Sequence, residues 1–348
     1  MVDKEFCMSS YLALRYIYKE NVNFFNNVYH KNILKVQDVE RIKVRTAAQI
    51  DFAIKQQLEK FKGKKIGLML SGGMDSAILA SYMMGCDAYT FRFLGGEFGK
   101  EELKRAESYA KYYDLNLHYV DIEWDGVDAC LDKIMKNKAA PVHSIEPQIY
   151  QAAVSARQDD VEIMIIGNAS DYIFGGMDGL LSKDWKFDEF MDRYIYLNPD
   201  EILKKSKNID DVFELYRDGE YIKFISFLEN VAVEESFSSY DNAFKTAELP
   251  YFDPYAHLML DIPLDLNRIR DGESKYLIRE LFSMKYPGIP IPEKVPMPRP
   301  VDYYFSNWEG PKRKEFKENL DMEKFTGNQK WQLYCLERFL NLYESEGR

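Results

Sequence analysis

From Leu70 to Ser76 the chain reads Leu-Ser-Gly-Gly-Met-Asp-Ser, a spacing suited to holding a polyphosphate. The adjacent Gly72 and Gly73 let the backbone approach an anion that a Cβ atom would obstruct. Backbone N–H groups would then face the anion, and a helix starting near Asp75 would add its positive end. The hydroxyls of Ser71 and Ser76 offer further donors. Asp75 is the odd member, because a carboxylate and bare phosphate repel each other. It becomes sensible if it holds a magnesium ion that bridges to the phosphates. The Gly-Lys-Ser/Thr ending of a Walker loop is missing, so the loop is of another type. The competing reading is a plain glycine turn between a strand and a helix.

The segment resembles the pyrophosphate loop Ser-Gly-Gly-x-Asp-Ser of the ATP pyrophosphatases, which cleave ATP between its α and β phosphates, and it matches at every fixed position. That group includes tRNA-modifying enzymes and NAD and GMP synthetases, so other segments must separate the branches. Residues Gly167-Asn168-Ala169-Ser170-Asp171-Tyr172-Ile173-Phe174-Gly175-Gly176 are similar to the asparagine synthetase segment Gly-Glu-Gly-Ser/Ala-Asp-Glu-Leu-Phe-Gly-Gly. They agree at Gly167, Ser170, Asp171, Phe174 and the closing glycine pair. Leu249-Pro250-Tyr251-Phe252-Asp253 resembles that family's Pro-Phe-Leu-Asp element, and Lys275-Tyr276-Leu277-Ile278-Arg279 its Lys-Tyr-Leu-Leu-Arg element, in the same order and spacing. With the stretch from Ile291 to Arg299, the resemblance to the asparagine-synthetase-like family covers residues from about 45 to about 310.

The resemblance implies that Leu70, Phe93, Ile166 and Gly167 line an adenine and ribose site while Ser71, Gly72, Gly73, Asp75 and Ser76 wrap the pyrophosphate. Asp75 and Asp171 would share magnesium, and Lys275 would neutralise charge on the α-phosphate and on the carbonyl oxygen under attack. Taken without their motifs, Lys275 is an exposed helix lysine and Asp171 a helix N-cap. The implied chemistry is adenylation of a small-molecule carboxylate by ATP, followed by transfer to ammonia or an amine. Two other readings compete with it: a nucleic-acid-modifying ATP pyrophosphatase and a non-catalytic nucleotide-binding homologue.

Two departures from the family pattern bear on the acceptor. Asn168 stands where asparagine-forming members carry Glu and lactam-forming relatives carry Tyr, and an amide cannot abstract a proton at neutral pH. Ala169 and Tyr172 alter the same wall, which argues against free aspartate as substrate. Full asparagine synthetases begin with a glutaminase whose cysteine follows Met1, whereas this chain has Val2 and reaches its loop by residue 71. The expectation is a stand-alone synthetase unit that takes nitrogen from free ammonia, a separate glutaminase or an amine on the substrate. Cys130, His143 and His257 lack any such context and read as structural or surface residues.

The elements that must position these residues follow the pattern of an α/β protein. An amphipathic helix from about Ala47 to Phe61 precedes the apolar run Ile66-Gly67-Leu68-Met69-Leu70, which has the length of a buried parallel strand. A helix over 76–84, a strand over 87–93, a helix over 100–113 and a strand over 115–122 complete two further alternations. A helix over 146–157 and a strand over 161–166 lead to the second loop. Such alternation predicts a parallel sheet flanked by helices, the adenine nucleotide alpha hydrolase-like arrangement, with both loops at the strands' carboxyl ends bordering one cleft. The expected division is an N-terminal segment over 1–62, the ATP pyrophosphatase core over 63–190 and a mainly helical lobe over 191–348.

Composition narrows the partners. The 348 residues are 46% hydrophobic, enough for a sizeable core. A net charge of −11 disfavours a broad grip on nucleic acid. The four cysteines, Cys7, Cys86, Cys130 and Cys335, are scattered and include no C-x-x-C pair, which points away from zinc ribbons and disulfide frameworks. No signal peptide or membrane-spanning run is read in the chain, so the expectation is a cytoplasmic protein without membrane contact.

Overall fold

The computed structural model describes residues 1–31, 40–94 and 99–346. Helix α1 (Lys4–Leu14) starts on Asp3, whose side chain accepts the Phe6 N–H, and is buried from Phe6 to Leu14. Strand β1 (Ile42–Val44) leads to α2 (Ala47–Leu58), capped by the Thr46 hydroxyl, and then to β2 (Ile66–Met69). The alternation continues through α3 (Met74–Ala80), β3 (Asp87–Phe93), α4 (Lys100–Tyr112) and β4 (Asn116–Ile122). Next come α5 (Trp124–Lys138), α6 (Glu146–Gln158) and β5 (Ile163–Ile165). Later elements that matter here are α7 (Val233–Ala247), β6 (Tyr251–Phe252), β7 (Leu258–Leu260), α8 (Tyr276–Lys285) and α9 (Gly327–Glu346).

The principal sheet is parallel throughout, with strand order β4-β3-β2-β5-β6. Leu68 on the central strand pairs with Ala88 on one side and Ile165 on the other, and all three are fully buried. Continuous apolar strands of this kind are expected where both faces of a sheet are covered. Helix α6 packs on β3 and β4 and carries α5 and α7, while α3 and α4 pack on β2 and β3 with α8 against α3 and α2. The sheet is therefore flanked by helices, as the alternation predicts.

Helix α3 is shorter than the expected 76–84 span. After Ala80 the chain tightens, with Ser81, Tyr82 and Met83 N–H groups donating to carbonyls three residues back. Gly85 at φ 77 then reverses the chain toward β3. A longer helix would leave no room for that reversal. Beyond residue 190 the chain is mainly helical, but it also supplies β6 to the principal sheet and β7, which pairs in parallel with β1.

Candidate active site

The loop after β2 is shaped by its own serines. The Ser71 N–H donates to Ser76 Oγ at 3.0 Å, the Gly73 N–H donates to Ser71 Oγ at 3.1 Å, and the two hydroxyls lie 3.0 Å apart. Each hydroxyl thus helps to hold the loop by accepting a backbone N–H. Gly73 is the N-cap of α3 and brings no side-chain cap, so the first-turn N–H groups of that helix keep their capacity for another acceptor. Tyr255 Oη donates to the Asp75 carbonyl at 3.0 Å and Tyr286 Oη to the Ala77 carbonyl at 2.7 Å, fixing α3 from below.

The two loop glycines have different reasons. A Cβ on Gly73 would meet only Ser71 Oγ at 3.3 Å, whereas one on Gly72 would lie 2.6 Å from the Glu102 carbonyl oxygen. Gly72 therefore answers to close packing against α4, and it is the one predicted loop residue outside the cleft lining. Arg105 Nε, from the same helix, donates to the Gly72 carbonyl at 3.0 Å.

A cleft of about 330 Å³ opens at the carboxyl ends of β2 and β5. Its walls include Leu70, Ser71, Gly73, Asp75, Ser76, Phe93, Ile166, Gly167, Asp171 and Lys275, so every other predicted site residue meets there. Lys275 is buried, 3% exposed, and its Nζ lies 2.6 Å from Asp75 Oδ2 and 2.7 Å from Asp171 Oδ1. It is the N-cap of α8 and adopts a left-handed conformation, φ 53, that a non-glycine residue holds only where the surroundings impose it. Burial works against its charge, but the two carboxylates prevail and hold the ammonium above its usual value. Asp171 is likewise opposed by burial yet held below the usual carboxylate range by Lys275 and Lys294, the latter 3.1 Å away.

Asp171 sits in a single helical turn, Ser170–Ile173, whose N-cap is Ala169. The closing Gly176 is dictated by it, since a Cβ there would fall 2.1 Å from Asp171 Oδ1. Asp253, at the end of β6, anchors the start of the turn: its carboxylate accepts the Ala169 N–H at 2.7 Å and the Tyr255 N–H at 3.0 Å. Burial pushes the Asp253 carboxyl up to about 7 against the pull of these N–H groups.

The acidic pair fits a magnesium ion. Asp75 Oδ1 is buried and has no hydrogen-bond partner, and two carboxylates offer the hard oxygen donors that magnesium prefers. No group of three or more His, Cys, Asp or Glu with metal-site geometry occurs among the described residues, so phosphate and water would have to complete the coordination.

Sequence reasoning missed a second polar cluster in the same cleft. Arg15, at the left-handed end of α1, pairs with Glu235 at 2.7 Å, and His143 Nε2 approaches the other oxygen of Glu235 at 2.9 Å. His143 is thus a buried wall residue rather than a surface one, while His257 stays partly exposed. Next to this cluster the Ser236 hydroxyl donates to Asn168 Oδ1 at 2.6 Å. The family departure at Asn168 is therefore answered by a serine from α7.

The family model described as asparagine synthase matches residues 46–245, more than half of the chain and both strand-end loops. The chain belongs to the asparagine synthase family. That membership supports an ATP-using ligase. The match stops short of Lys275 and leaves out Arg15 and Arg299. A probable glutamine-hydrolyzing asparagine synthetase of Acanthamoeba polyphaga mimivirus is 22% identical over 156 residues, 42% of this chain and 28% of that protein. This member of the asparagine synthase family thus aligns with under a third of that relative's length.

Similar solved structures include the U34-tRNA thiolase NcsA from Methanococcus maripaludis with its 4Fe-4S cluster, at TM-score 0.29, 11% identity, 85% of this chain and 80% of that one. NMN synthetase from Francisella tularensis gives TM-score 0.28, 12% identity, 72% of this chain and 96% of that one. An NH3-dependent NAD synthetase from Campylobacter jejuni gives 0.27, 17% identity, 55% and 93%. Likeness at this level says nothing of the reaction. No helix among the described residues is long and apolar enough to cross a membrane.

Proposed function

We propose that the protein activates a substrate carboxylate with ATP, forming an acyl-adenylate and releasing pyrophosphate, and then passes the acyl group to ammonia or an amine to give an amide and AMP. The observation that carries this reading is Lys275, a buried ammonium placed between Asp75 and Asp171 where the two loops meet. In this reading the loop after β2 and the start of α3 hold the pyrophosphate portion of ATP, and Leu70, Phe93, Ile166 and Gly167 flank its nucleoside. Asp75 and Asp171 would hold magnesium, which when bound neutralises charge on the polyphosphate.

Lys275 would stabilise the negative charge that develops at the α-phosphate and then at the carbonyl oxygen, where a fixed cation in a buried site is worth most. The walls from 1–62 and 191–348 would keep water from the acyl-adenylate held by the 63–190 core. The nitrogen would come from free ammonia, a separate glutaminase or an amine already on the substrate.

Exchange of labelled pyrophosphate into ATP, measured across a panel of carboxylic acids, tests the proposal. Acid-dependent exchange is expected. ADP formation with no exchange for any acid would sink it.

A further inference from the structure

Among the described residues, five carboxylates line the cleft, and four of them are accounted for. Asp75 and Asp171 share Lys275, Glu235 pairs with Arg15, and Glu293 is exposed to water. Glu102 is the exception. It is half-buried, and its Oε2 is buried without a hydrogen-bond partner. The basic neighbours on its own helix are engaged elsewhere: Lys104 pairs with Glu101, and Arg105 Nε donates to the Gly72 carbonyl. A buried polar atom left unpaired carries a cost that a fold retains only for a reason.

Glu102 lies in the first turn of α4, against the loop after β2. Its Cγ lies 2.7 Å from where a Cβ on Gly72 would be, so the side chain is packed onto the loop backbone. Arg105, Asp75, Asp171, Lys275, Arg279 and Tyr240 share the cleft with it. The Tyr240 phenol is pushed up by burial, with Asp253, Asp171, Glu102 and Asp75 all adding to the effect. No three such side chains converge on a metal position among the described residues, so Glu102 stands apart from the Asp75 and Asp171 pair. Burial pushes the Glu102 carboxyl up to about 7, with the Gly72 N–H and Arg105 pulling the other way. Near neutral pH the group is therefore balanced between its two forms.

A polyphosphate entering the loop upsets that balance. Beside an ionised Glu102 it would set like charges together, whereas the acid form offers an O–H to a phosphate oxygen. Such O–H···O⁻ bonds are of the strong, charge-assisted kind. We propose that Glu102 is a proton-carrying ligand for the pyrophosphate portion of ATP: it takes up a proton as the polyphosphate enters the loop and donates a hydrogen bond from Oε2 to a phosphate oxygen. The proton comes from solvent and returns there when pyrophosphate leaves, so pyrophosphate is held less tightly as pH rises. The inference rests on the adenylation reading only in seating polyphosphate at this loop.

Inorganic pyrophosphate is the probe, titrated calorimetrically into the full chain in excess magnesium at pH 8, in two buffers of different ionisation enthalpy. The dependence of the heat on the buffer counts the protons taken up. Wild type should take up about half a proton or more per pyrophosphate beyond what Glu102→Gln takes up, the ligand's own protonation being common to both proteins. The glutamine keeps an N–H donor and cannot titrate. From pH 7 to pH 9 the wild-type affinity should fall about 10-fold more than that of the variant. A glutamate that only braces the loop would move no proton. If the variant does not fold, infrared difference spectra of wild type on adding pyrophosphate at pH 8 should still show a carboxylate band replaced by the carbonyl band of a protonated acid.

Equal proton counts in the two proteins, parallel pH profiles, no acid band in wild type, or no binding of pyrophosphate would each overturn the inference. Acid-dependent pyrophosphate exchange, run separately, distinguishes the two readings. Equal proton counts with exchange intact remove the role of Glu102 and leave the adenylation. Proton counts that differ, with no exchange for any acid, remove the adenylation and leave Glu102 as a polyphosphate ligand.

Discussion

Lys275 concentrates the chemistry because it is held from two sides and strained at its own backbone. Replacing it with Met would leave Asp75 and Asp171 without the ammonium between them. Acid-dependent pyrophosphate exchange should fall by about 100- to 1,000-fold, the usual cost of losing one preorganised charge at a reacting oxyanion, while circular dichroism reports an intact fold. The His143 ring makes a separate prediction. Its folded value of about 4 lies below the ordinary 6.5, so between those values the unfolded chain takes a proton that the folded chain refuses. The ring's contribution to stability therefore falls as pH drops through this window, by on the order of 2–3 kcal/mol at its lower end.

Glu235, held at about 2 by Arg15 and His143 despite its burial, adds to the loss only below its ordinary 4.5, where the unfolded chain's carboxylate takes a proton that the folded one refuses. Going from pH 7 to pH 4.5, His143→Gln should lose less stability, or gain more, than wild type in denaturant titrations, because Asp253 and Glu102, pushed up to about 7 by burial, take up protons in the folded chain over the same range and oppose the loss in both proteins. Some slope will remain from His30 and His257, which burial also holds low. An equal difference in both proteins would rule the ring out. Asp75, Asp171 and Lys275 were legible because each sits inside a contiguous motif. Arg15, His143 and Glu235 come from three separate segments, and nothing near any one of them in sequence refers to the others.

At the scale of elements, the two loops depend on the spacing between backbone segments as much as on ligand chemistry. Gly72→Ala would drive a Cβ to within 2.6 Å of the Glu102 carbonyl, a contact with backbone that no side-chain rotation relieves. The cost should be about 1–3 kcal/mol of overpacking, read as a lowered denaturation midpoint, together with weakened ATP binding as α4 and the loop move apart. Gly73→Ala, which meets only a serine hydroxyl, should be milder in stability, and the reverse order would contradict this account.

Most of the alternating elements from β2 to β5 were readable from their apolar periods, but α5 (Trp124–Lys138) was not: it opens without a side-chain cap and carries Gly126 in its first turn. The end of α3 was not, since its apolar pattern runs on past Ala80 while the chain must already turn for β3. β6 has two residues, too short for any periodicity, and it joins the sheet through pairing of Met164 with Tyr251 and Ile165 with Phe252. Its role became visible only with Asp253 beside it, fastening the second loop.

Across the whole molecule, the terminal helices fasten one side of the cleft that the central sheet opens. Helix α9 crosses to α1 and to the strand-end region: Trp331 Nε1 donates to the Val142 carbonyl at 3.0 Å, and Gln332 Nε2 to the Tyr11 carbonyl at 2.5 Å. Tyr11 Oη donates to the same Val142 carbonyl, also at 3.0 Å. Val142 adjoins His143, and α1 ends in Arg15, so this junction sets the position of two walls of the cleft on the side of Asn168 without touching the pyrophosphate loop.

Trp331 is 2% exposed and packs edge-on against Phe305, so truncation to Ala should cost about 3–5 kcal/mol. For a chain of this size that amounts to a fall in Tm of roughly 4–7 °C. The sharper expectation concerns where function is lost. In pyrophosphate exchange at a temperature where the variant is folded, the KM for the acid should rise while the KM for ATP stays near wild type, because the loop after β2 is anchored by Tyr255 and Tyr286 instead. If both constants rose together, the two halves of the cleft would have to move as one body, and the division of labour between central sheet and terminal helices would be wrong.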